Sequence, residues 1–113
     1  LKLLNRLGQL YRLARRLPDA LKSHHEAQFL AEMLDNQQMI AETHYNLAED
    51  YLQNRDYAEA ERYGQAALTG FSDLPGTTVW QAATLNTLGM VSRACGDLHL
   101  AESRLSEAVA LRR

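Results

Sequence analysis

The chain has 113 residues, 46% of them apolar and 23% charged, with a formal net charge of −2. That makeup suits one folded domain and excludes a disordered tether, while the acidic balance argues against general nucleic-acid binding. No apolar run reaches the length of a membrane span, and the single cysteine, Cys95, excludes an internal disulfide and fits a reducing, cytoplasmic setting.

The first element, α1, is expected over residues 1–14, where Leu4, Leu7, Gly8 and Tyr11 recur at i, i+3, i+4 and i+7. That spacing lays one stripe along a helix. Pro18 and Asp19 open α2 (18–34), since a proline in the first helical turn loses no hydrogen bond. Its stripe runs Leu17, Ala20, His24, Ala27. The third element, α3 (37–53), repeats the first stripe as His44, Leu47, Ala48 and Tyr51. Asp56, with Glu59 three residues on, has capping-box spacing for α4 (57–71), whose stripe is Tyr57, Ala60, Gly64, Ala67. The run SDLPGTT, residues 72–78, is the longest break. Leu85, Leu88, Gly89 and Ser92 then mark α5 (77–94). Gly96 ends it, and Asp97 caps α6 (98–112), with stripe Leu98, Ala101, Leu105, Ala108.

One two-helix unit is therefore written three times, at spacings of 40 and then 41 residues, giving repeats 1–35, 36–75 and 76–113 within a single domain. Gly8, Ala48 and Gly89 stay small while their neighbours vary, as do Ala20, Ala60 and Ala101, and Ala27, Ala67 and Ala108. Small residues at fixed points specify close helix crossings, about 8–10 Å between axes, rather than merely apolar faces. Charge is uneven: residues 1–34 carry +3, residues 35–75 carry −6 and residues 76–113 carry +1. Such a gradient can steer a charged partner, although solvated helix faces also vary this way. The start at Leu1 rather than Met points to a segment of a longer protein.

This pattern of a large residue, Leu-Gly and Tyr, then Ala, a large residue and Ala resembles the tetratricopeptide repeat, and the match runs along essentially the whole chain. The usual repeat has 34 residues and closes with Pro; here Glu32, Ser72 and Arg113 stand where that Pro would be. The lengthened form is similar to the repeats of kinesin light chains, G-protein-signalling modulators and bacterial regulators. The resemblance implies an all-α fold, a right-handed α-α superhelix of three hairpins, with the first helix of each pair lining a concave groove. It also implies a non-catalytic scaffold within a larger signalling or regulatory protein, holding a protein or peptide in that groove.

The groove positions are those on the first helix of each pair that face away from the core stripe. In the first repeat they include Lys2, Asn5, Arg6, Gln9 and Arg12; in the second Glu42, Tyr45, Asn46, Glu49 and Gln53; in the third Asn86, Met90 and Arg93. The amides offer donors and acceptors to an extended backbone, and the methionine adapts its shape. In family members with bound peptides, an Asn where Asn46 stands often grips the peptide main chain. Clamps for chaperone tails want cations where Asn5, Ala83 and Thr87 stand, so that ligand class is excluded.

Other candidates reduce to plainer roles. His24 and His44 occupy packing positions, and His25 and His99 complete no zinc spacing, so no metal or cofactor is expected. Cys95 near a helix C-terminus is not activated. Phe71 and Trp80 are expected to pack on each other across the long break. No paired acid and base and no phosphate loop occur, so no catalytic residue is assigned. The competing expectation is self-association: neither terminal repeat looks capped, and Leu105, Val109 and Leu111 lack a following helix. The chain would then form a homodimer or stack end to end.

Overall fold

Each of the six stripes folds as a helix. The structure, a computed structural model, describes residues 1–113: α1 (Lys2–Leu13), α2 (Leu17–Met33), α3 (Gln37–Gln53), α4 (Tyr57–Ser72), α5 (Thr78–Ala94) and α6 (Leu98–Leu111). No strand is present.

The turns show how each helix stops. Arg15, Arg55 and Gly96 hold equivalent places in the three hairpins, and all lie in the left-handed region, with φ of 63°, 62° and 86°. The next amide in each case (Arg16, Asp56, Asp97) bonds back to the carbonyl of Tyr11, Tyr51 and Ser92 respectively, closing the helix end with a Schellman-type bond. Only the third hairpin supplies the glycine this backbone favours. Asp97 caps α6 by accepting from the Leu100 amide at 3.0 Å, as its position predicts, and Asn36 caps α3 through the Met39 amide. Asp56 does not behave as its spacing suggests: its side chain makes no cap bond, and Glu59 instead takes a two-pronged contact from Arg62. The longest break is anchored from within, because the Thr77 hydroxyl bonds the carbonyls of Phe71 (2.6 Å) and Leu74 (2.9 Å).

Helices pair as α1–α2, α3–α4 and α5–α6, and α2–α3 and α4–α5 join one pair to the next. Along one side α3 also touches α1 and α5, so the three first helices lie side by side. The alanines at the repeated small positions are buried throughout, and a Cβ added to Gly8 would stand 2.3 Å from His24 Nε2, one added to Gly89 2.9 Å from Leu105 Cδ2. In the first and third pairs the helices therefore meet where one of them has no side chain, and in the second Ala48 takes that place. Phe71 is fully buried and stacks on Trp80, centroids 5.3 Å apart, as the sequence predicts; Tyr45 meets Trp80 edge-on at 5.7 Å.

Candidate peptide-binding groove

The side-by-side helices enclose a cleft of about 290 Å³, with Lys2, Asn5, Arg6 and Gln9 from α1, Met39, Glu42 and Asn46 from α3, and Trp80 from α5. Six of these, all but Met39 and Trp80, are groove positions by helical spacing. Spacing alone did not place Met39 and Trp80 there, because both lie at the start of a helix, where the stripe has no preceding turn to define it.

Several predicted groove amides are spent inside the protein. Asn5 is buried and donates to the Thr43 hydroxyl at 3.2 Å. Gln9 donates to Asn46 Oδ1 at 3.1 Å, and Gln53 reaches the Arg12 carbonyl at 3.4 Å. Arg12 turns inward, donating to Asp50 Oδ1 at 3.1 Å, and Asp50 also meets His24 Nδ1. His24 Nε2 lies 3.2 Å from the Asn5 carbonyl oxygen. Repeats one and two are thus joined by a polar seam rather than an apolar one, and Arg12 belongs to that seam. Its acid and imidazole, Asp50 and His24, are not legible as partners in the sequence, since no helical spacing connects residues on different helices.

Between repeats two and three the corresponding positions carry Val91, which is apolar, and Thr84 and Thr87, whose hydroxyls donate to the Trp80 and Ala83 carbonyls of their own helix. Here the link is Arg104 of α6, which grips both Glu61 oxygens at 2.6 and 2.9 Å and also reaches Ser92 Oγ. That pairing holds the Glu61 carboxyl below its ordinary value. Tyr45 donates to Glu49 at 2.8 Å; burial first, and then the Glu49 charge, push its phenol up to about 12.

Asn46 sits at the floor of the cleft. It is 1% exposed, its oxygen is taken by Gln9, and its side-chain nitrogen finds no acceptor within the chain yet is not sealed from solvent. Lys2 and Arg6 at the rim have no ion-pair partner, and neither does Arg93 farther along α5; the Asn86 amide is also unengaged. The acids of the groove are occupied, Glu42 by Gln38 and Glu49 by Tyr45. The surface therefore offers open donors and cations beside the half-buried Trp80 ring. No three His, Cys, Asp or Glu side chains approach closely enough to hold a metal ion, and no helix is long and apolar enough to cross a membrane.

Stacked helical hairpins with a cleft along their first helices define a solenoid built for protein contacts. The sequence profile of the tetratricopeptide repeat matches residues 1–73 and again 39–113, and the chain belongs to that family. Its fold is similar to the crystal structure of BtubC (BKLC) from P. vanneervenii, with a TM-score of 0.89 and 26% identity over 98% of this chain. The match spans 46% of that longer chain. No curated protein sequence matches. Repeats of this family generally mediate protein–protein interaction.

Proposed function

We propose that the chain binds a peptide or an extended protein segment in the cleft along α1, α3 and α5, without catalysis, as an interaction module of a larger regulatory protein in the cytoplasm. The observation that carries this reading is the Asn46 side chain, nearly buried at the cleft floor with its N–H₂ left open. A ligand backbone carbonyl is the natural acceptor for it. Lys2, Arg6, Asn86, Met90 and Arg93 supply the uncommitted contacts around it, while Asn5, Gln9, Arg12 and Gln53 act through the seam that fixes the cleft's shape.

Trp80 is the single tryptophan of the chain and lines the cleft, so its fluorescence reports occupancy. Titration of a genuine partner should shift that emission, and Asn46→Ala should weaken binding about tenfold, the worth of one hydrogen bond near 1.4 kcal/mol. Arg6→Ala and Asn86→Ala, which touch no seam partner, separate ligand contact from loss of the stack. Unchanged affinity in all three variants would show that the partner binds elsewhere.

A second reading, self-association through the end faces, is favoured by one observation. Beyond α6 lies an uncovered cleft of about 370 Å³ lined by Glu102, Leu105, Ser106, Val109, Ala110 and Arg113. Val109 is exposed there, whereas Leu111 does not line the cleft and packs against the cluster of Ala82, Leu85 and Ala108.

A further inference from the structure

The two joints of the stack are built alike but filled differently. Between the second and third hairpins, Leu68 of α4, Leu85 of α5 and Leu111 of α6 pack in one cluster with Ala82 and Ala108. One repeat earlier the same register holds Gln28, His44 and Gly70. A cleft of about 490 Å³ remains there between α3 and α4, and it shares no residue with the peptide groove. A hairpin stands on either side of these two helices, so the opening owes nothing to where the chain begins or ends.

The lining combines an apolar bed with open acceptors. Ile40, Ala41, Ala66 and Gly70 form the bed. Gln37 gives its side-chain N–H₂ to Asp35 at 2.9 Å, and Gln65 gives its own to Glu61 at 3.0 Å, so each keeps its amide oxygen. Gln28 donates to His44 Nε2 at 3.4 Å, which makes that nitrogen the accepting one of a neutral ring. Asp73 lines the cleft and enters no ion pair. Glu32 of α2 adds its negative charge beside His44, while Arg62, whose charge also reaches that ring, is held by Glu59 at 2.7 Å. Acceptors are left over and cations are spent.

From this we propose that the cleft is a second docking site, which takes a lysine or arginine side chain from a basic segment of a partner protein. The methylene stem lies along Ile40, Ala41, Ala66 and Gly70, as long cationic side chains lie on apolar surface. The charged N–H groups at its tip meet the Asp73 carboxylate and the two glutamine oxygens. At the later joint the three leucines occupy the place that this stem would need.

Amide NMR of the intact chain, titrated with acetyl-Ala-Lys-Ala-amide, tests the site, with norleucine or glutamate at the centre of the same peptide as controls. The lysine peptide should shift the amides of Ile40, Ala41, Thr69 and Gly70 saturably at millimolar concentration, and neither control should do so. Asp73→Asn should weaken that binding about two- to fivefold, the measure of one exposed ion pair. Gly70→Leu copies Leu111 and should abolish the shifts by filling the cleft. A Cβ at Gly70 would stand 3.0 Å from Ala41 Cβ, so Ala66→Arg, at an exposed position, fills it by a second route. Equal shifts from the norleucine peptide overturn recognition of a cation. Shifts that persist in both filled variants, or no shifts with the lysine peptide, overturn the site itself. Groove occupancy is read from Trp80 in the other cleft, so either failure leaves the groove reading standing.

Discussion

His24 of α2 and Asp50 of α3 meet with no solvent around either, the imidazole Nδ1 against Asp50 Oδ2. Arg12 of α1 binds the other oxygen of the same carboxylate, so one acid ties three helices together. Removing it by Asp50→Ala strands a guanidinium and an imidazole, and should lower unfolding free energy by about 3–5 kcal/mol. Replacing all three at once with the residues that stand at the same register elsewhere in the chain, Arg12→Leu, His24→Leu and Asp50→Val, should recover most of that loss, because apolar packing then takes the place of the whole network. Urea unfolding of the single and triple variants checks both statements.

Alanine usually stabilises a helix interior relative to glycine by about 0.5–1 kcal/mol. At Gly8 the sign should reverse. The new methyl would stand 2.3 Å from His24 Nε2, and the ring cannot retreat while Asp50 and the Asn5 carbonyl hold it. Gly8→Ala should cost about 1–3 kcal/mol, and a double-mutant cycle with His24→Ala should show most of that cost disappearing.

Arg15 and Arg55 adopt the left-handed backbone that Gly96 adopts in the third hairpin. A non-glycine residue there costs about 1–2 kcal/mol, while glycine gives back about 0.4–1 kcal/mol through the freedom it adds to the unfolded chain. Arg15→Gly and Arg55→Gly should therefore each stabilise by roughly 0.5–1 kcal/mol, and Gly96→Ala should destabilise by a similar amount. Thermal melts of the three variants decide the matter.

Burial is the main reason the His44 imidazole lies below its ordinary value of 6.5; Arg62 pushes the same way and Glu32 opposes. The folded protein thus binds this proton less readily than the unfolded chain. The contribution is fully present above pH 6.5 and is lost as pH falls through the lowered folded value. His44→Leu, which copies Leu85 of the third repeat, should flatten the loss of stability on acidification when unfolding is compared at neutral and mildly acidic pH.

The opposite sign holds for Tyr45, whose phenol is raised from 10 to about 12. Its neutral form is favoured in the fold, so stability is retained below pH 10 and declines as pH climbs from there toward 12. Burial and the neighbouring Tyr63 also raise Tyr51, so ultraviolet titration should show more than one delayed ionisation, of which Tyr45→Phe removes the one near 12.

The sequence by itself determined the helices, their pairing and the close crossings. A helix repeats every few residues, so Leu4, Leu7, Gly8 and Tyr11 declare their common face without reference to anything distant. The same locality places Gly96 and Asp97 at a helix junction and Phe71 beside Trp80 across a short break. Even there spacing could mislead: Asp56 and Glu59 have the offsets of a capping box, but Arg62, one turn on, is the stronger partner for Glu59.

Tertiary structure alone decided which polar residues remain open. Asn5, Gln9, Arg12 and Asn46 all lie on faces turned from their own stripes, and nothing local separates a groove contact from a bond to the next repeat. Their partners stand 37 or 38 residues away, Gln9 with Asn46, and Asn5 with Thr43 and Arg12 with Asp50. A hydrogen bond is satisfied by position in space, and that position exists only once the hairpins have stacked.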